Sequence, residues 1–173
     1  KKSMKHYLPD NTALLGSFSK IFAPSFRLGW IAAGKSIMEK LIVAKQAADL
    51  HTNYFSQRVL FDYLEHNDID SHISVIRKAY GEQRDAMVSA LERYMPAGVS
   101  WTHPEGGMFL WVKLPEGCDS MKLFDRAIAA NVAFVPGHPF YPSDPDISTM
   151  RLNFSCVDSD TIEEGIRRLS GVL

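Results

Sequence analysis

The sequence predicts an α/β segment, then connecting helices, then a small α+β domain. Three observations predict this order. The short apolar runs Thr12–Gly16 and Phe26–Ala33 flank a polar loop, as neighbouring strands do. Three helical patterns then follow one another, and from Val99 onward strand patterns alternate with helical ones. The chain accordingly divides into residues 1–34, 35–95 and 96–173.

The first segment is predicted to hold two strands joined by a functional loop. Thr12–Gly16 ends at a small residue, as a buried strand would. Pro24 stops any helix that begins near Ser19, so the chain can turn back into Phe26–Ala33 with Arg27 at its start. Ligands in open α/β sheets bind beyond the carboxyl ends of strands, which is where this loop would lie.

The middle segment is predicted to be helical throughout. A helix from Ser36 to Leu50 has Ser36 as its N-cap and carries apolar residues at helical spacing. A second helix covers about 55–65. A long third helix covers about 71–94 and ends at Pro96-Ala97-Gly98.

The last segment is predicted to form a short sheet with helices packed on one face. One helix is capped by Asp119 or Ser120, and the final helix is capped by Asp158. In that final helix, two Glu–Arg pairs at i,i+4 complement the helix dipole. The predicted strands are Val99–Thr102, Met108–Leu114, Val132–Val135 and Thr149–Phe154, and the predicted pairs are Glu163–Arg167 and Glu164–Arg168.

Composition and charge narrow the classes of partner. Apolar residues make up 46% and charged residues 23% of the chain, which is ordinary for a globular protein. The net charge of −1 gives no indication of nucleic acid or an anionic membrane as partner. No apolar run approaches the roughly 18 residues that span a bilayer. Cys118 and Cys156 lack CxxC spacing and fit reduced thiols in the cytoplasm, and the histidines show no metal-ligand spacing.

The loop carries a distinctive set of polar groups. Ser17-Phe18-Ser19-Lys20 is followed seven residues later by Arg27. An amine can form a Schiff base with an aldehyde, and hydroxyls with a guanidinium suit a phosphate. Spacing alone leaves a plainer alternative open, because a lysine after two serines is usually a solvated loop residue.

Four motifs, in order along most of the chain, resemble those of one enzyme family. They are Leu15-Gly16-Ser17-Phe18-Ser19-Lys20 with Arg27-Leu28-Gly29-Trp30, Pro104–Trp111, Val135–Phe140 and Met150–Ser155. The family is the class I/II aminotransferases, which are pyridoxal-phosphate enzymes of fold type I. The motifs are most similar to those of the subgroup with 2-aminoadipate and kynurenine aminotransferases.

The resemblance implies a role for each site residue. Lys20 would form the Schiff base with pyridoxal 5'-phosphate and carry a proton. Ser17 and Arg27, helped by Ser19, would hold the cofactor phosphate. Arg151 would bind the α-carboxylate of an L-amino acid whose amino group passes to a 2-oxo acid. The alternative for Arg151 is a structural ion pair with an aspartate or glutamate. The resemblance also implies a homodimer and a long helix that links the large and small domains.

The resemblance also identifies expected parts that no residue before Lys20 supplies. In the family, the acidic partner of the pyridine nitrogen, the stacking aromatic residue and a glycine-containing helix start all come earlier. We therefore expect a C-terminal portion of a longer aminotransferase that is inactive alone. An alternative is the aminotransferase-like effector domain of a DNA-binding transcriptional regulator. A purely structural fragment, or a lyase of the same fold, would also contain these motifs.

Overall fold

The computed structural model describes residues 2–173, which form two compact units. One unit ends at Ile76, and the other runs from Arg77 to Leu173. The boundary falls inside one long helix, so the backbone is helical on both sides of it. The division into 1–34, 35–95 and 96–173 stays a prediction.

The first unit begins with a two-stranded sheet and continues with helices. Strands β1 (Leu14–Ser17) and β2 (Gly29–Ala32) are antiparallel, with Leu14 opposite Ala32 and Ser17 opposite Gly29. A Cβ at Gly16 would collide with the indole of Trp30 on the neighbouring strand, which explains why glycine stands there. The elements are α1 (Met4–Tyr7), β1 (Leu14–Ser17), a 3-10 helix (Pro24–Phe26), β2 (Gly29–Ala32), α2 (Lys35–Ala48), α3 (Tyr54–His66) and the start of α4 (Ile69–Tyr94).

Two predictions about these strands are wrong in detail. The second strand begins at Gly29 rather than Phe26, because Pro24–Phe26 forms a 3-10 turn and Arg27 takes up a left-handed conformation with φ of 54°. The pattern of Thr12–Gly16 predicts a buried strand. In β1, however, the residues alternate between half-buried and exposed, and Leu15 is 70% exposed.

The three predicted helices of the middle segment are present. Helix α2 begins one residue earlier than expected, so the prediction of Ser36 as N-cap is wrong. Gly34 is the N-cap, because its carbonyl already accepts the amides of Ile37 and Met38. Helix α3 is capped by Asn53, whose side chain accepts from the Ser56 amide at 2.9 Å.

The second unit contains a four-stranded sheet in which every pairing is antiparallel. The strands are β3 (Ser100–Trp101), β4 (Phe109–Lys113), β5 (Val135–Pro136) and β6 (Thr149–Asn153). Their order in the sheet is β3-β4-β6-β5, so the last two strands along the chain are reversed in the sheet. The third predicted strand, Val132–Val135, is observed as a strand of only two residues, Val135–Pro136. After the end of α4, the elements are β3 (Ser100–Trp101), β4 (Phe109–Lys113), α5 (Ser120–Ala129), β5 (Val135–Pro136), a 3-10 helix (His138–Phe140), β6 (Thr149–Asn153) and α6 (Ser159–Ser170).

The core of this unit lies on one face of the sheet. Leu110 and Val112 of β4 alternate with more exposed neighbours, as do Met150 and Leu152 of β6. These four side chains cluster with apolar residues of α4, α5 and α6. Because successive side chains of a strand point to opposite faces, the residues between them are directed away from this core. The helical residues of the cluster are Met87, Ala90, Leu91, Leu123, Ala127, Ile162, Ile166 and Leu169.

The predicted helix caps and one predicted ion pair of this unit are confirmed, whereas a second predicted ion pair is wrong. Asp119 accepts from the Met121 amide and Asp158 from the Thr161 amide, both at 2.9 Å. Glu164 accepts from Arg168 as predicted. The predicted Glu163–Arg167 pair is wrong. Glu163 contacts helix α4 instead, where it accepts from Arg93 and Tyr94, while Arg167 donates to Glu164.

We predict that Leu110→Ala lowers the free energy of unfolding by about 2–5 kcal/mol, because it leaves a cavity in a closed core. Leu110 is 0% exposed. The measurement is urea unfolding of the full-length protein followed by tryptophan fluorescence. The control is Met121→Ala on the half-exposed side of α5, which should change stability by no more than about 0.5 kcal/mol. Equal unfolding midpoints for the two variants would contradict the assigned core.

A second prediction concerns acid stability. Hydrogen bonds from Arg167 and then Arg168 lower the pKa of Glu164 from 4.5 to about 2. A carboxyl with a lowered folded-state pKa stabilises the protein above its unfolded pKa, and the contribution disappears as pH falls through the folded value. The thermal midpoint of Glu164→Gln should therefore lie slightly below wild type at neutral pH, and the gap should close as pH falls from 4.5 toward about 2. Glu92→Gln, an exposed site on α4, is the control; the same narrowing in that variant would refute the prediction.

Candidate active site

The loop between β1 and β2 is closed by short backbone hydrogen bonds. The Phe18 amide donates to the Leu28 carbonyl at 3.1 Å, and the Phe22 amide donates to the Phe18 carbonyl at 2.9 Å. Below the loop, the ring of Phe22 lies 5.3 Å from that of Phe26 and 4.8 Å from that of Tyr63 in α3. The loop is thus held at both its ends and its base, so its polar side chains have a defined location.

Three polar residues of this loop are linked by hydrogen bonds. Ser17 Oγ accepts from the Ser19 amide at 3.1 Å. Ser19 Oγ accepts from Arg27 Nη1 at 3.4 Å, and the same nitrogen lies 3.4 Å from the Pro24 carbonyl. The left-handed conformation of Arg27, which directly follows the 3-10 turn, places its guanidinium over Ser19. Two hydroxyls and a guanidinium on one exposed loop are suited to binding an oxyanion.

Lys20 follows Ser19 directly and is exposed. Among residues 2–173, no hydrogen bond or ion pair involves its ammonium group. No carboxylate among the described residues occupies this nitrogen, which can attack a carbonyl group once it is in the neutral amine form. The structure therefore brings together Ser17, Ser19 and Arg27, with Lys20 next to them along the chain.

Arg151 lies in the second unit, on the sheet face opposite the core. It pairs across the sheet with Trp111 of β4 and Val135 of β5. Its guanidinium carbon is 4.0 Å from the ring centre of Phe109 and 4.8 Å from that of Phe140. Arg151 Nε is buried and has no hydrogen-bond partner, and within residues 2–173 no carboxylate pairs with this side chain. The alternative of a structural ion pair therefore finds no support in the described part of the chain.

Arg151 also lines a cleft of about 440 Å³ at the β5 edge of the sheet. Phe109, Asn153 and residues of α6 also line this cleft. A buried donor without a partner is unfavourable, since it loses water without gaining a hydrogen bond. An anionic group that entered here would satisfy it.

Sequence reasoning did not include Phe109 among the site residues. A signal was available for Phe109, because it stands two residues before Trp111 and so lies on the same face as the cross-strand neighbour of Arg151. For Phe140, the resemblance to the family implies that the loop with His138, Phe140 and Tyr141 lies near Arg151, and the Phe140 ring is indeed in contact with the guanidinium. Within residues 2–173, no cluster of metal-binding side chains occurs, and no helix is long and apolar enough to cross a membrane.

Comparisons with known proteins identify a family for this chain. The family model described as aminotransferase class I and II matches residues 3–169. An aromatic-amino-acid aminotransferase of Thermococcus litoralis is 51% identical over 90% of this chain and 37% of its own length. The crystal structure of LysN, an α-aminoadipate aminotransferase of Thermus thermophilus, was solved with N-(5'-phosphopyridoxyl)-L-leucine. It has a TM-score of 0.93 and 38% identity over 98% of this chain and 44% of that protein.

A more distant relative belongs to a different functional class. An uncharacterised HTH-type transcriptional regulator of Bacillus subtilis, YisV, is 30% identical over 96% of this chain and 34% of its own length. The chain thus spans only 37% of the length of the Thermococcus aminotransferase and 34% of the length of this regulator.

Proposed function

The chain belongs to the aminotransferase class I and II family, with the fold of the fold type I enzymes, and on this premise we propose that it supplies the cofactor loop and the substrate-carboxylate arginine of a pyridoxal-phosphate-dependent aminotransferase. The reaction would move an amino group from an L-amino acid to a 2-oxo acid. The observation that carries the proposal is the hydrogen-bonded group of Ser17, Ser19 and Arg27 beside Lys20.

The donors of this loop fit a cofactor phosphate. Arg27 can offer two parallel N–H groups to two phosphate oxygens, and the hydroxyls of Ser17 and Ser19 can donate to the same group. The hydrogen bond between Arg27 and Ser19 is long, at 3.4 Å, so a phosphate could replace it at little cost. When bound, pyridoxal phosphate supplies an electron sink for negative charge at the substrate Cα.

Lys20 would supply the amine that bonds to the cofactor aldehyde. The incoming amino acid would release this nitrogen from the cofactor. The Lys20 amine would then accept the proton from the substrate Cα and donate it to the carbon of the former cofactor aldehyde. The lack of a competing acidic partner among the described residues leaves the Lys20 nitrogen available for this role.

Arg151 would orient the amino acid through its α-carboxylate. A guanidinium binds a carboxylate through two parallel hydrogen bonds, which fixes both the position and the rotation of the substrate. The buried, unpaired Nε supports this role because it lacks a partner that such a carboxylate would provide.

Three further predictions from the sequence belong to this proposal. We propose a homodimer, and we propose the division of the chain into the end of a large domain, connecting helices and a small domain. A cytoplasmic location, inferred from two cysteines without disulfide spacing, also stays a prediction.

A second candidate is the effector domain of a transcriptional regulator. It is favoured by the 30% identity to an HTH-type regulator along nearly the whole chain. The 51% identity to an aromatic-amino-acid aminotransferase favours the enzyme. The nucleotide sequence upstream of residue 1 separates the candidates, because a winged-helix segment there would favour the regulator.

We expect Lys20→Ala in the full-length protein to lose transamination by at least about 10²–10⁴-fold, because no other amine stands in this loop. Borohydride reduction with pyridoxal phosphate, followed by peptide mass spectrometry, should label Lys20 in the wild type and leave the variant unlabelled. Lys35→Ala is the control, since this lysine side chain is 91% exposed at the start of α2. A wild-type label on any other side chain would refute the role of Lys20.

Replacement of Arg27 should weaken cofactor retention rather than prevent the covalent bond. Arg27→Asn tolerates the left-handed backbone and removes the guanidinium, so the Kd for pyridoxal phosphate should rise about 10–100-fold, as expected for lost hydrogen bonds to a charged group. The Kd for pyridoxal, which lacks the phosphate, should change little. Equilibrium dialysis measures both constants, and Arg58→Asn on α3 is the control. Equal pyridoxal-phosphate affinity in wild type and Arg27→Asn would exclude Arg27 from the phosphate site.

A further inference from the structure

We propose that Phe109 and Phe140 are positioning residues that hold the Arg151 guanidinium in the orientation that a substrate carboxylate requires. The inference rests on the proposed role of Arg151 and extends it to two side chains outside the expected set of site residues.

Both rings contact the cation directly. The guanidinium carbon lies 4.0 Å from the Phe109 ring centre and 4.8 Å from the Phe140 ring centre. These distances are well inside the roughly 6 Å over which a ring attracts a cation. The attraction acts between the positive charge and the ring face, so it leaves the N–H donors of Arg151 available for other hydrogen bonds.

Aromatic neighbours affect the Arg151 guanidinium differently from acidic neighbours. A buried guanidinium is commonly paired with an acidic side chain, which would occupy its donors and cancel its charge. Arg151 has no such partner among residues 2–173, and its buried Nε has no hydrogen-bond acceptor. Aromatic rings stabilise the cation without competing for the carboxylate. They also displace water, which strengthens an ion pair formed beside them.

Each ring is held by a separate element. Phe109 lies on β4, which pairs with β6 along five residues of each strand. Phe140 ends the 3-10 helix after β5, and its ring meets that of Trp111 edge to face at 5.5 Å. The start of that helix is attached to β6, because the Gly137 amide donates to the Thr149 carbonyl at 2.7 Å. A Cβ at Gly137 would collide with Thr149, so this close approach requires glycine.

The test uses Phe140→Leu in the full-length holoenzyme. Phe140 is 46% exposed, so the substitution leaves the core intact. The probe is acetate, a carboxylate without a side chain, measured as a competitive inhibitor of transamination at constant ionic strength. We expect the inhibition constant of acetate and the KM of the amino acid to rise together by about threefold to tenfold. The value of kcat should change by less than about twofold, because the rings act on binding.

Two control variants separate a positioning role of the Phe140 ring from a general loss of packing. Phe140→Tyr keeps the ring face and should restore the wild-type inhibition constant. Phe124→Leu makes the same substitution in an edge-to-face pair with Phe134, at 5.6 Å, where no arginine lies over the Phe124 ring in the described residues, and it should leave acetate inhibition unchanged. Phe109→Leu should raise the inhibition constant of acetate, as Phe140→Leu does.

The outcomes distinguish this inference from the proposed function. Arg151→Gln should abolish competition by acetate, and if it does not, the assigned role of Arg151 is wrong. If Arg151→Gln abolishes competition but Phe140→Leu leaves the inhibition constant unchanged, the role of Arg151 stands and the aromatic positioning is refuted. The aromatic positioning would also be refuted if Phe140→Tyr or Phe124→Leu weakened acetate inhibition as much as Phe140→Leu does.

Discussion

The antiparallel pairing of β4 with β6 is the constraint on which the second unit depends. Five residues of each strand pair in one register, with Leu110 opposite Leu152 and Trp111 opposite Arg151. The pairing places apolar side chains together on the core face, where three helices cover them. It also places Arg151 on the other face. A shift of one residue would reverse both faces, so burial of the core determines where the arginine is presented.

In the first unit, by contrast, the polar groups of the proposed site come from a single loop. Its two strands are short, and the loop between them contains a 3-10 turn that ends at a left-handed arginine. That backbone conformation is uncommon for a residue with a side chain. Here it directs the guanidinium of Arg27 toward Ser19. The strain is thus located at the residue proposed to hold a phosphate, as is common at functional sites.

The two arginines show two ways of keeping a positive charge available for an anion. Arg27 is exposed and makes only long hydrogen bonds to neutral oxygens. Arg151 is half-buried and rests against two aromatic rings, with one nitrogen unsatisfied. Elsewhere in the second unit, arginines close to carboxylates form ordinary ion pairs, as Arg167 and Arg168 do with Glu164. The difference in surroundings separates arginines suited to a ligand from arginines that serve the fold.

Local patterns in the sequence determined the order and type of the main elements, the caps at Asp119 and Asp158, and the motifs by which the family is identified. These features depend on residues close together along the chain, so they can be read without the fold. The partner of Glu163 and the contacts of the two aromatic rings with the Arg151 guanidinium were decided only by tertiary structure. Each depends on contacts between distant segments: Glu163 meets Arg93 across seventy positions of sequence, and Phe140 reaches Arg151 only because a loop folds back against β6. Such contacts are selected by packing and by the desolvation of charge, which no local pattern records.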